Sequence, residues 1–535
     1  MLSKESLAVY GRAAIAISGI EGERASELSR AEKNKLILGE LRQALNDTGA
    51  LYIVGGVPVH VMPDGRMTEI LPKSRELDEI LIACGIMPES GVLDKALYRF
   101  LLADYYPENE VIVMSKYLPQ EHSLLVNLCD GRYLRFDHEG MPTIHTNGEG
   151  GYLFEKGTVP HVADLEAICA YKGGALAWNE NSPLIRHVFG VGVYGSESGV
   201  GREIALDVQL AWLLAGMFPE RVKAQPLLHL HGLSGTRKTA MATGLGWVIS
   251  PKGLEFRAVA APDDRTQMEV TLINAKGLLC LDEANNIRLL FSLLKAIITN
   301  ASVERRVLYT TAGVQRFIIR LLCILTTNNL ELFDEAVARR VLKIDMGDPR
   351  GEEVSYRGDG SIEREWRENN LAAACWTDLM CRVSATMRLL SAARSKGADD
   401  PTVRYRMSGF WSFVMAVAAQ EGPEIRNRMT KAAEAIHSEQ SRSVNTADDL
   451  LPLLHDWLSG HKERQGVELT ASEIGASLMM RPGIGNGLYK ILGSSMLLSN
   501  KLTGSSEYIR LLGMRVVNGK RTKKFVFDLS KVEPE

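Results

Sequence analysis

Leu227-Leu228-His229-Leu230-His231-Gly232-Leu233-Ser234-Gly235-Thr236-Arg237-Lys238-Thr239 runs from an apolar strand through a Gly-rich turn into a helix marked by Met241, Leu245 and Val248. A strand, a glycine turn and a helix N-terminus in that order aim backbone N–H groups at a bound phosphate. Gly232, Ser234, Gly235 and Thr236 form the cradle, Lys238 reaches the outer phosphates of a nucleotide, and Thr239 offers a hydroxyl to Mg²⁺. Arg237 stands where the G-x-x-x-x-G-K-[ST] pattern has its last glycine. Its side chain either crowds the backbone at the closest approach to the phosphates or swings its guanidinium outward.

Working outward, Gly277-Leu278-Leu279-Cys280-Leu281-Asp282-Glu283 is an apolar strand ending in two carboxylates, as a Walker B element requires. Asp282 is placed to hold magnesium through water and Glu283 to take a proton from an attacking water. A further apolar strand, Ile319 to Leu325, ends in Thr326-Thr327-Asn328-Asn329 and brings polar side chains to the same sheet edge. Strands and helices alternate from Pro226 to about Met346, which predicts a parallel sheet flanked by helices. Between the carboxylates and the Thr-Thr-Asn-Asn turn, residues Arg305 to Phe317 alternate around Thr311-Ala312-Gly313 and predict a β-hairpin.

These elements, most clearly over residues 200 to 350, resemble the AAA+-like P-loop ATPases, and within them the superfamily III helicases and helicase-like ATPases of phages, plasmids and mobile elements. Asp130 to Phe154, with Asn147-Gly148-Glu149-Gly150-Gly151, is similar to the domain that precedes the ATPase in phage primase-helicases. The resemblance implies ATP and Mg²⁺ as cofactors and an asparagine after the third strand, best matched by Asn328 and next by Asn329. It implies an arginine reaching a neighbouring subunit's ATP, at Arg339 or Arg340 in Asp334-Glu335-Ala336-Val337-Ala338-Arg339-Arg340. It also implies that the hairpin grips DNA in a central channel. The tip here carries no charge, so the grip falls to hydroxyls and backbone amides, or to Arg306 and Arg316.

The 535 residues are 45% hydrophobic and 24% charged, enough for several cores. Lys+Arg 62 against Asp+Glu 65 gives a net charge of -3, which excludes a uniformly basic nucleic-acid-binding surface and makes any polyanion contact local. Apolar runs fall short of the roughly 20 residues a bilayer span needs, so a cytoplasmic protein with no membrane contact is expected. The seven cysteines lack C-x-x-C spacing and no H-E-x-x-H occurs, which argues against zinc chemistry.

The fold expected is multidomain α/β. An α+β N-terminal module for assembly or docking spans 1–190, with a β-rich second half. The P-loop, AAA+-like parallel-sheet core spans 191–350, and a helical bundle spans 351–447 with a polar passage at Arg426 to Asp448. The tail, 448–535, combines helices, the capping box Thr470-Ala471-Ser472-Glu473 and a hairpin turning at Asn518-Gly519, and reads as a winged helix. Lys520, Arg521, Lys523 and Lys524 give it a basic wing. The expectation is a homo-oligomeric, ring-forming ATP-dependent DNA helicase or translocase in replication of a phage or mobile element. Single-stranded DNA would lie in the channel and duplex on the winged helix, with other replication proteins as further partners. Two rivals stand beside it: a nucleotide-gated switch in an assembly or defence system, and a DNA-binding scaffold whose Arg237-altered loop holds ATP weakly.

Overall fold

The computed structural model describes residues 4–22, 28–87, 93–103, 106, 108–159, 161–195, 200–222, 224–262, 264–284, 294, 298, 302–306, 314–318, 321–328, 335–347, 359–395, 403, 405, 407–446, 450–461, 463, 466–480, 492–504, 512, 514–518 and 523–528. The chain forms two compact units, 1–330 with 339–439, and 331–338 with 440–535.

The first unit opens with helices Lys4–Glu21 and Arg30–Thr48. The second begins at Arg30, where Ser29 and Glu32 form a reciprocal capping box. Strands Ala50–Val54 and Val57–Val61 pair antiparallel across Gly55-Gly56, whose positive φ values permit the tight turn. Tyr10, Leu41, Leu45, Leu77, Leu81 and Leu97 close a small core between these helices and Arg75–Ala83 and Leu93–Ala103.

An antiparallel meander follows: Ser115–Leu118, Ser123–Asn127, Arg132–Phe136 and Pro142–Thr146. Its strand Ser123–Asn127 is buried on both faces. Side chains alternate in a strand, so Leu124 and Val126 enter the main core while Leu125 turns to Tyr133 and Phe154.

The centre is a five-stranded parallel sheet in the order Val259–Ala260, Leu278–Asp282, Leu322–Thr327, Leu227–His231, Val341–Asp345. Its inner strands are nearly continuous apolar runs because helices cover both faces. Helix Arg202–Gly216, buried almost all round, and helix Lys238–Ile249 pack into the same core as Leu371–Ser395, Ser408–Glu421 and Pro423–Thr446. The polar passage at residues 426–446 is therefore helical, burying Met429, Ala432, Ala433 and Ile436 along one face. Within this packing Arg382 is buried but paired: its Nε donates to Asp378 Oδ1 at 3.0 Å and its guanidinium to the Ala177 carbonyl at 2.7 Å. Removing either partner would strand a buried charge.

Three histidines of this unit, the buried His60 and His229 and the half-buried His161, are held neutral by desolvation, which pushes His60 and His161 down to about 4 and His229 well below its ordinary value. The unfolded chain binds protons at these positions that the folded chain refuses, so stability rises with pH. His60 and His161 should each remove about 1.4 kcal/mol per pH unit as pH falls from about 6.5 toward 4, and His229 acts in the same direction. Urea midpoints measured across that window should fall steadily. A level profile would mean that the folded unit admits these protons.

The described residues of the second unit include helices Leu450–Gly460, Ala471–Met479 and Ser495–Gly504, and a three-stranded antiparallel sheet ordered Leu469–Thr470, Lys523–Val526, Arg515–Asn518. Leu454, Leu458, Ile474, Leu478, Leu498 and Phe525 form its core. The Thr470–Glu473 capping box closes as expected. Among the described residues of the chain, no helix is long and apolar enough to cross a membrane.

Candidate functional site

All five sheet strands run the same way, so their carboxyl ends share one edge. Three adjacent strands end there in the segments singled out above: Gly232–Arg237 after Leu227–His231, Asp282-Glu283 after Leu278, and Thr326 to Asn328. Gly232 has no alternative at its position, since a Cβ there would lie 2.8 Å from both Met346 Cβ and the Met346 carbonyl. Thr236 is fully buried and donates its hydroxyl to the Leu233 carbonyl at 2.9 Å, which fixes the loop.

Lys238, the first residue of its helix, is buried with its ammonium among oxygens. It donates to the Gly232 carbonyl at 2.6 Å, the Leu233 carbonyl at 2.7 Å and Asn328 Oδ1 at 3.1 Å. Burial lowers its pKa, against the opposing pull of Asp282 and Glu283. Thr239 donates its hydroxyl to Asp282 Oδ1 at 2.9 Å. Thr326 donates to the same oxygen, and its own Oγ1 accepts the Glu283 N–H at 3.1 Å.

Arg237 adopts φ +62° and ψ +25°, the left-handed conformation that favours glycine, and its side chain is exposed. The residue also lines the cleft described below, so it stays at the site, at the cost of a strained backbone. Arg237→Gly should relieve about 1 kcal/mol of that cost. Chemical denaturation checks this: an unchanged or lowered midpoint would mean that the arginine compensates by contacts of its own.

These groups line a cleft of about 580 Å³, a volume ordinary for small-molecule sites. One end is polar, with Ser234, Lys238, Thr239, Asp282, Glu283 and Asn328. The rest combines the apolar and aromatic Val191, Trp247, Ile362, Trp366 and Leu371 with the polar Arg186, His187 and Glu365. Trp247 and Trp366 meet edge to face at 5.0 Å between ring centroids. Such a cleft suits a ligand that carries an aromatic ring and a polyanionic tail. The aromatic end was not legible in the sequence: Trp366 belongs to helix Asp359–Glu368, far from Trp247 in the chain. Arg257 helps hold that helix through Glu363 at 3.0 Å.

Other expected residues lie elsewhere. Arg339 and Arg340 are half-buried in the turn before Val341–Asp345, and the Arg340 carbonyl accepts the Leu227 N–H at 3.2 Å. They therefore sit at the amino edge of the sheet, opposite the cleft. Strands Ser302–Arg306 and Val314–Ile318 pair antiparallel with Glu304 opposite Arg316 and Arg306 opposite Val314. Lys524 donates to Glu468 Oε2 at 3.0 Å, an exposed pair. The hairpin tip at residues 307–313, Asn329, Lys520 and Arg521 lie outside the described residues.

No family model matches the chain, and no curated protein matches it by sequence. Among solved structures it is similar to the apo A form of the NrS-1 C-terminal region, at 11% identity and TM-score 0.40, covering 91% of this chain and 98% of that one. It is also similar to the active helicase Cch of SCCmec type IV, at 13% identity and TM-score 0.45, covering 90% and 93% respectively.

Proposed function

We propose that the protein is an ATP-dependent DNA helicase or translocase that works as a homo-oligomeric ring in replication of a phage or mobile element. The observation that supports this most is the meeting of Lys238, Asn328, Thr239, Asp282 and Glu283 in one cleft with an aromatic far end. The base of ATP lies toward Trp247 and Trp366 and the triphosphate along the 232–237 loop. There Lys238 exchanges loop carbonyls for phosphate oxygens, which suit its charge better. Glu283 accepts the proton of the attacking water, and Asn328 places an amide beside Lys238 at the reacting end.

The donor set fits Mg²⁺, a hard cation that takes few protein oxygens and completes its shell with water and phosphate. Thr239 and Asp282 would hold it, and when bound it neutralises charge developing on the phosphate oxygens.

DNA contact rests on Arg306 and Arg316, which flank the hairpin tip in sequence, and on the tail's Lys520, Arg521, Lys523 and Lys524. The Lys524–Glu468 pair is exposed and weak enough to yield to phosphate. ATP turnover measured with and without single-stranded DNA, together with strand displacement, tests the proposal. Lys238→Ala should weaken nucleotide binding, and neutralising Arg306 and Arg316 should abolish DNA stimulation. Each lost phosphate contact should flatten the log-log salt dependence of DNA binding by about one unit. Hydrolysis without DNA stimulation or unwinding would favour the nucleotide-gated switch instead.

A further inference from the structure

We propose that Thr326 is a positioning residue that sets both carboxylates of the cleft for hydrolysis, an inference that rests on the ATPase reading above. Thr326 stands next to last in strand Leu322–Thr327 and is 1% exposed. Three hydrogen bonds tie it to the end of the neighbouring strand. Its hydroxyl donates to Asp282 Oδ1, its Oγ1 accepts the Glu283 N–H at 3.1 Å, and its carbonyl accepts the Ala284 N–H at 2.9 Å.

The residue held in this way is strained. Glu283 has φ +50°, a left-handed conformation that a residue with a Cβ adopts only when its surroundings impose it. Such a turn directs the Glu283 side chain differently from an extended strand end, and Asp282, Glu283 and Thr326 all line the cleft. Asp282 Oδ1 accepts from Thr239 as well, at 2.9 Å, so the hydroxyls of the loop helix and of the adjacent strand fix one carboxylate oxygen between them. Neither contact leaves the orientation of Asp282 to chance.

A hydroxyl is suited to this place because it donates to the carboxylate and accepts from the peptide through the same atom. Valine matches the shape of threonine and does neither. Thr326→Val should therefore lower kcat by about 10- to 100-fold, the usual cost of losing a group that orients a ligand-holding residue. Affinity for metal-free ATP should stay within about threefold, since the phosphate loop and aromatic end are untouched, and any rise in the KM for Mg-ATP should not exceed the lost Mg²⁺ contribution. Thr326→Ser keeps the hydroxyl and should restore kcat to within about threefold of wild type.

A readout independent of turnover comes from affinity for a fluorescent ATP analogue with and without Mg²⁺. The gain in affinity that Mg²⁺ gives wild type should shrink in Thr326→Val and return in Thr326→Ser. If the valine variant does not fold, Thr326→Cys compared with Thr326→Ser carries the same test, since both lack the methyl group and the thiol makes both hydrogen bonds more weakly than the hydroxyl. Wild-type kcat and Mg²⁺ dependence in the valine or cysteine variant, with wild type itself active, would overturn the role of Thr326 alone. A serine variant as impaired as valine would overturn it too. Absence of ATP binding and hydrolysis in wild type would overturn the ATPase reading and this inference together.

Discussion

Replacing Glu283 with glutamine should lower ATP turnover by about 10²- to 10⁴-fold while leaving nucleotide binding in place. Glutamine keeps the size of the side chain and its place after Asp282, and the backbone bond from Glu283 N–H to Thr326 survives the change. What is lost is the capacity to take a proton. Lys238, Thr239 and Asp282 are untouched, so affinity for ATP should remain near wild type. The contrast with Lys238→Ala is the informative one, because that substitution removes an ammonium held among four oxygens and should reduce affinity itself. Equilibrium binding and single-turnover hydrolysis separate the two effects. Undiminished hydrolysis in Glu283→Gln would remove this carboxylate from the mechanism.

A loss of about 10³- to 10⁵-fold is expected from neutralising Arg339 and Arg340 together, if one of them completes a neighbour's site. Within one chain neither can serve its own cleft. The pair precedes Val341, which lies opposite Leu227 at the start of the parallel strands. The Gly232–Arg237 loop follows the other end of the Leu227–His231 strand, about 15 Å away at the rise of a β-strand. An arginine so placed acts in trans or not at all. Mixing provides the decisive measurement: Lys238→Ala has intact arginines but no working cleft, and the double arginine variant has the reverse. Each alone should be inactive, and mixed oligomers should recover activity at interfaces where a sound cleft meets a sound arginine. If the arginine variant is fully active alone, the pair merely supports the sheet edge.

How far the sequence could be read differs along the chain for identifiable reasons. Where one short segment contains all the information, as in the strand, loop and helix around Gly232 or the Thr470–Glu473 capping box, periodicity and turn chemistry were sufficient. Charge and polarity misled where a helix is exposed on most of its surface. Residues 426–446 read as a polar separator, yet form a long helix whose narrow apolar stripe packs on the bundle. Helix Lys4–Glu21 escaped notice because its small and apolar residues give little periodic contrast.

The sequence by itself determined the strand, glycine turn and helix start over residues 227–239, the two carboxylates at the end of their strand and the polar turn at Thr326 to Asn328, because each depends on neighbours a few residues away. Only the tertiary structure decided that strand Leu322–Thr327 lies between the other two, so that Asn328 meets Lys238 and Thr326 meets Asp282. It alone brought Trp366 against Trp247 to form the aromatic end of the cleft, and carried Arg339 and Arg340 to the opposite edge. The physical reason is that alternation and apolar runs report how much of a segment is buried, whereas strand order and helix placement follow from packing between segments far apart in the chain.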